Sequence, residues 1–209
     1  MKINGCIDIY VNDLYRAIMN NVSNYFDMAY KNQSTMIDIA IDGSSSITEI
    51  MEDVVSDSTL TYMRDHAFNY VTGIGGEMKQ KMRSDLQMAM VMGKTSYNDI
   101  VNVIQKSMGS KICSRDRAEL IAQTELSIAY NMGSIKRMKE YNKLHGGILR
   151  KYWYGFKHSN ITCDYCRPRI GTVYDLDDNS ESLPAHPRCR CTWIAVTQVM
   201  MEEWMNDKH

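Results

Sequence analysis

The chain has 209 residues, with 24 Lys and Arg against 25 Asp and Glu and a formal net charge of −1, so no overall basic surplus marks it as a nucleic-acid binder. Its 44% hydrophobic content is that of a globular chain, of a length that suits one sizeable domain or a helical domain with a small appendage. The opening "MKINGCIDIYVNDLY" is interrupted by Asn4, Asp8, Asn12 and Asp13, so no secretory signal is expected, and no apolar run approaches bilayer length, so no membrane span is expected either.

From the N-terminus, Val11, Leu14, Ile18, Val22, Tyr25 and Ala29 recur at spacings of three and four and predict an amphipathic helix over about 8–30. "DGSSS" breaks the pattern. Ser46 with Glu49 has the form of a capping box opening a short helix through Ile47, Ile50 and Val54, and a further helix over 59–71 is ended by the glycines of "TGIGG". Residues 1–72 therefore read as an N-terminal helical region. Beyond it, Met78, Met82, Leu86 and Met90 form a stripe that stops at Gly93. Ser96 can cap a second helix carrying Ile100, Val103, Ile104 and Met108, which Gly109 ends. The third and longest helix, over about 116–141, carries Ala118, Ile121, Ala122, Ile128, Met132 and Ile135 on one stripe, and Glu125 falls on the same stripe.

A carboxylate on an apolar stripe needs a cation or several donors if it is buried, and the arginines further along the chain are candidates. The alternatives are that Glu125 sits at the edge of the stripe and reaches water, or that it works as a general acid or base. The last has no nucleophile or second carboxylate beside it.

After "HGG" the pattern becomes short and β-rich. "RKYWYGF", "GTVYDL" and "CTWIAVT" predict three short strands, and "QVMMEEWMNDKH" a closing helix. The chain thus divides into 77–145, helical; 146–197, a small β unit; and 198–209, a tail helix. The fold class expected is α+β, mainly helical, with the C-terminal β unit treble-clef-like or zinc-knuckle-like.

That unit holds Cys163 and Cys166 in "TCDYC", then His186, Cys189 and Cys191 in "HPRCRC". Tetrahedral zinc needs four such ligands, and a thiolate-rich set is normally closed and structural. Cys163 and Cys166 with two of His186, Cys189 and Cys191 would complete it. A disulfide pairing or free thiols are the alternatives, and the absence of a secretory signal favours metal. A β unit this small lacks the core to hold itself together, which zinc would supply. Arg167, Arg169, Arg188 and Arg190 flank the cluster and are candidate nucleic-acid contacts, against an acidic loop of Asp175, Asp177, Asp178 and Glu181.

The blocks "RAELIAQTELSIAYNMG", "KYWYGF", "TCDYCRPRIGTVYDL" and "LPAHPRCRC", in that order, resemble the phage Mu F-like minor head proteins, also called phage head morphogenesis proteins, over roughly 77–196. Thr124 and Glu125 match the family's Thr-Glu pair, Asn131 and Gly133 its Asn-x-Gly, and Trp153 its Trp ahead of the first cysteine pair. Gln123 replaces the usual Arg, and His158 stands where an acidic residue is common. The resemblance implies a virion component, made in the host bacterial cytoplasm, that associates with the portal and capsid proteins during procapsid assembly and contacts packaged DNA. It implies no catalysis. The alternative from a different class is a zinc-stabilised nucleic-acid-binding or nuclease module. For a nuclease, His158 is the spare histidine near the cluster, without an Asn or His partner at motif spacing.

Overall fold

The computed structural model describes residues 67–206, apart from 70, 93 and 95. The helices expected over 8–30 and 47–54, most of the one over 59–71, and Cys6 lie outside the described residues. In chain order these hold α1 (Gly76–Val91), α2 (Tyr97–Met108), α3 (Arg115–His145), β1 (Leu149–Tyr154), β2 (Val173–Tyr174), β3 (Thr192–Thr197) and α4 (Gln198–Asn206). They belong to two compact units, described over 67–126 and 127–206, whose boundary falls within α3 after Leu126.

In the first unit, α1 buries Met82, Leu86 and Ala89. The four-residue stripe is what places them on one side. The N-cap of α2 is reciprocal: the Asp99 N–H donates to Ser96 Oγ at 3.2 Å while the Ser96 N–H donates to Asp99 Oδ2 at 3.2 Å, which satisfies two otherwise orphaned donors. The buried face of α2 is Ile100, Val101, Ile104 and Met108, with Val103 only partly covered, so the apolar face is turned slightly from the expected one. Asp85 of α1 accepts the Ser107 hydroxyl at 2.6 Å, and Lys81 donates to the Ser107 carbonyl at 3.2 Å, joining α1 to α2.

The helix expected over 59–71 does not run to its end. Residues 67–69 form a turn, and Phe68 has φ 64°. That left-handed conformation cannot continue a helix and is rare for a bulky side chain.

In the second unit, β1 lies between β2 and β3, antiparallel to both, with Trp153 opposite Trp193 and Lys151 opposite Tyr174 and Ala195. Alternation along β1 buries Leu149, Lys151 and Trp153, as the two-residue period of a strand requires. All six residues of β3 are buried. Trp153 and Trp193 meet edge to face at 5.3 Å, and Tyr174 meets Trp193 at 5.4 Å, inside a core completed by Met138, Ile170, Leu176 and Leu183. Asn142 starts β1: its Oδ1 accepts the Leu149 N–H at 2.8 Å and its Nδ2 donates to the Leu149 carbonyl at 2.9 Å. Met132, expected on the buried stripe of α3, is exposed, whereas Leu126, Ala129, Tyr130 and Met138 are buried.

Candidate metal centre

The loop between β1 and β2 is braced by Arg167, whose guanidinium donates to the carbonyls of Lys157 at 2.8 Å and Thr162 at 2.6 Å, and by the Thr162 hydroxyl on the Phe156 carbonyl at 2.6 Å. Cys163 to Cys166 then turns tightly: the Arg167 N–H reaches the Cys163 carbonyl at 3.0 Å, and the Cys166 N–H lies 3.4 Å from the Cys163 sulfur. A second turn runs from His186 to Cys189, closed by the Cys189 N–H on the His186 carbonyl at 3.0 Å, with Arg188 at φ 61°. Gly155 permits the approach of the strand end to this cluster. A Cβ there would lie 2.9 Å from both the Cys191 sulfur and Ile170 Cδ1.

These turns bring all five sequence-predicted ligands together, as two triads that share Cys166: Cys163, Cys166 and His186, and Cys166, Cys189 and Cys191, each with its ligand atoms within 4.8 Å of one another. The Cys163 and Cys166 sulfurs lie 3.1 and 3.3 Å from His186 Nε2, and the Cys166 and Cys189 sulfurs 3.8 Å apart. Tetrahedral zinc, with Zn–S near 2.3 Å and Zn–N near 2.0 Å, sets thiolates about 3.8 Å apart and a thiolate about 3.5 Å from an imidazole nitrogen; the distances within each triad are close to these, and closing four ligands on one ion draws the two triads together about Cys166. His186 Nδ1 lies 2.8 Å from the Pro187 carbonyl. A proton held on Nδ1 by that carbonyl leaves Nε2 free to bind a metal.

The electrostatics prepare the sulfurs unequally. Burial raises the Cys163 pKa, but N–H groups of Cys166 and Tyr165 outweigh it, and the thiol ends below its ordinary value. Cys189 is lowered to about 5, chiefly because the Cys191 thiol donates to it, with the backbone N–H groups of Cys191 and Ala185 adding to this against the cost of burial. Cys191, the donor in that pair, is pushed up correspondingly. Burial is also the main reason Cys166 is raised to about 12. Among the described residues the buried indole Nε1 of Trp153 has no hydrogen-bond partner, and its N–H favours the Cys191 thiolate. A buried donor facing sulfur is what a metal-bound thiolate would satisfy. A cavity of about 30 Å³, lined by Cys163, Cys166, His186, Cys191, Arg188 and Arg190 among others, adjoins the sulfurs.

Of the flanking arginines, Arg167 is engaged with backbone carbonyls as above. Arg169 pairs with Glu181 at 2.6 Å and stacks on Tyr165 at 3.7 Å, which holds the Glu181 carboxyl below the usual carboxylate range. Arg188 and Arg190 are exposed, as is His158. The acidic loop is bound by the bases around it: Arg150 to Asp175 at 2.6 Å, Lys139 to Asp177 at 2.7 Å, and Lys151 Nζ to the Asp178 carbonyl.

The residues of the Thr-Glu and Asn-x-Gly matches are internal. Glu125 is buried, but its donor is the Phe68 N–H at 2.8 Å, not an arginine or backbone group of the metal unit as expected. The reason is local: the turn at 67–69 packs where the carboxyl emerges from α3. Thr124 does not orient that contact, since its hydroxyl donates to the Leu120 carbonyl one turn back at 2.8 Å. Asn131 Oδ1 accepts the Trp193 N–H at 2.8 Å and the Thr192 hydroxyl at 3.1 Å, while its Nδ2 donates to the Ser127 carbonyl at 2.8 Å. Trp153 is wholly buried.

Sequence reasoning missed Lys151, which is 2% exposed and has its ammonium 5.0 Å from the Trp193 ring centroid. Strict alternation with Leu149 and Trp153 is the signal that could have found it.

No curated protein and no solved structure matches the chain. The model of the Phage Mu protein F like family matches residues 80–194, a span that takes in α3, the sheet as far as β3, and all five candidate ligands. Since that is more than half of its length, the chain belongs to the phage Mu protein F like family.

Proposed function

We propose that this is a structural head morphogenesis protein of a tailed phage or prophage, without enzymatic activity, made in the host cytoplasm and carried in the virion. It associates with the portal vertex and capsid proteins during procapsid assembly. One observation carries the reading: the family match embraces the whole cysteine and histidine cluster, whose thiolate-rich donor set suits a structural ion rather than a reacting one. The ligands we assign are Cys163 and Cys166 with two of His186, Cys189 and Cys191, drawn from the two triads that share Cys166. Zinc would supply the cohesion that a three-stranded sheet with a two-residue edge strand lacks. Among the described residues no helix is long and apolar enough to cross a membrane.

The test is co-expression with the portal protein of the same genome. Co-purification in a defined complex, and detection of the chain by mass spectrometry of purified virions, are expected. Virions that assemble normally and contain none of it would overturn the assignment.

A second reading, contact with packaged DNA, rests on Arg188 and Arg190, the exposed pair beside the cavity. Such binding would weaken steeply as salt rises, because phosphate contacts release counterions. Replacing both arginines with Gln would abolish it. Metal-dependent plasmid cleavage lost in His158→Ala would instead favour the nuclease.

A further inference from the structure

The segment 67–72 is fastened to the helices by side chains of two of them. Arg83 Nε donates to the Ala67 carbonyl at 2.7 Å and its guanidinium reaches Asn69 Oδ1, Lys79 Nζ donates to the Asn69 carbonyl at 3.0 Å, and Arg117 reaches the Thr72 carbonyl at 3.4 Å. At the centre the Phe68 N–H donates to Glu125 Oε2 at 2.8 Å. Phe68 is completely buried and held in the left-handed region, a conformation that costs free energy and persists only where the surroundings impose it.

The fastening has an unusual distribution of charge. Glu125 is 3% exposed, and among the described residues its Oε1 has no hydrogen-bond partner. The charged groups facing it are Arg83 and Lys79 of α1. Their hydrogen bonds go to the turn, and among the described residues neither forms an ion pair with the carboxylate. The turn itself contributes Ala67, Phe68 and Asn69, none of which titrates. A buried carboxylate served by one N–H is poorly compensated when ionised, whereas the neutral acid can still accept that N–H.

We propose that Glu125 and the turn 67–69 form a proton-operated latch: closed on α1 and α3 while the carboxyl is neutral, and loosened when it ionises. Consistent with this geometry, burial raises the Glu125 pKa to about 7, against the opposing influence of the Phe68 N–H, Arg83 and Lys79. The sign follows from linkage. A folded-state pKa above the released value means that the closed form binds the proton more tightly, so its stabilisation is complete below pH about 4.5 and is lost as pH rises through about 7. The latch tightens in acid and slackens above neutrality. Phe68, with its strained backbone, is the group set free.

The experiment is amide hydrogen exchange of the full-length protein between about pH 6 and pH 8, with rates corrected for the intrinsic pH dependence of exchange. Protection at Phe68 should fall about tenfold over that range, and Glu125→Gln should make it independent of pH. Equal protection at both pH values in the native protein, or the same fall in Glu125→Gln, would overturn the latch. Should the variant fail to fold, the carboxyl carbon shift of Glu125, followed by NMR in the native protein, decides. A midpoint near neutrality supports the proposal; one in the ordinary glutamate range refutes it.

Discussion

Glu125 and Asn131, on the two halves of α3, are both buried, and the two are treated differently. In the second unit Asn131 is neutral, and its amide oxygen and nitrogen are engaged with Thr192, Trp193 and Ser127. In the first unit Glu125 can carry a charge, and among the described residues its Oε1 has no partner. The same contrast extends to what holds each unit. The first rests on contiguous aliphatic side chains of three helices. The second gathers two tryptophans and five candidate metal-ligating side chains around a short sheet. The described part of the first unit is chiefly apolar, whereas the second adds convergent thiols and an imidazole to its core, so its integrity should respond to single-atom changes.

The sharpest way to break the contrast is Cys166→Ser, which removes the ligand common to both triads. Native protein should hold about one zinc per chain by elemental analysis, and the variant almost none. With binding energies on the order of 10 kcal/mol for structural zinc in small domains, exchange protection across β1 and β3 should collapse while that of α1 and α2 survives. Metal-free native protein with paired cysteines would refute the zinc assignment.

Smaller but still large is Asn131→Ala, which deprives the Trp193 N–H and Thr192 hydroxyl of their acceptor and should cost on the order of 3 kcal/mol in chemical denaturation. A change in midpoint worth less than a third of that would show that water replaces the amide. Gly155→Ala comes next, at about 2 kcal/mol, because the added carbon meets Cys191 and Ile170. It should also accelerate zinc transfer to a chromophoric chelator, whereas a distant surface Gly→Ala should not.

The least effect is expected from Lys151→Met. The ammonium sits against Trp193 and one carbonyl, and burial depresses its pKa more than Asp178 and Asp177 raise it. A thioether of similar length should fold within about 1 kcal/mol of native. A loss several times larger would give Lys151 a role that the geometry does not.

Much of this was legible from residues alone. Ser96 as a cap, and the β-branched and aromatic runs at 150–156, 171–176 and 191–197, announce their elements through local chemistry, and the cysteine spacing announces which side chains converge. What was not legible depends on distant partners. Glu125 could be placed on a buried stripe, but the Phe68 N–H that meets it is 57 residues away and belongs to a turn whose left-handed Phe no propensity favours. Arg167 and Arg169 looked free because charge in a sequence has no address. In the fold each is committed to a loop carbonyl or to Glu181, and only Arg188 and Arg190 keep the exposure the sequence suggested for all four.

The tryptophan pair has a practical consequence. All three tryptophans, Trp153, Trp193 and Trp204, lie beyond residue 126, and the two whose rings are described are buried edge to face beside the cysteines. Indole emission therefore offers an optical gauge of the second unit: a red shift of the buried Trp153 and Trp193 on addition of chelator would time the opening of the cluster.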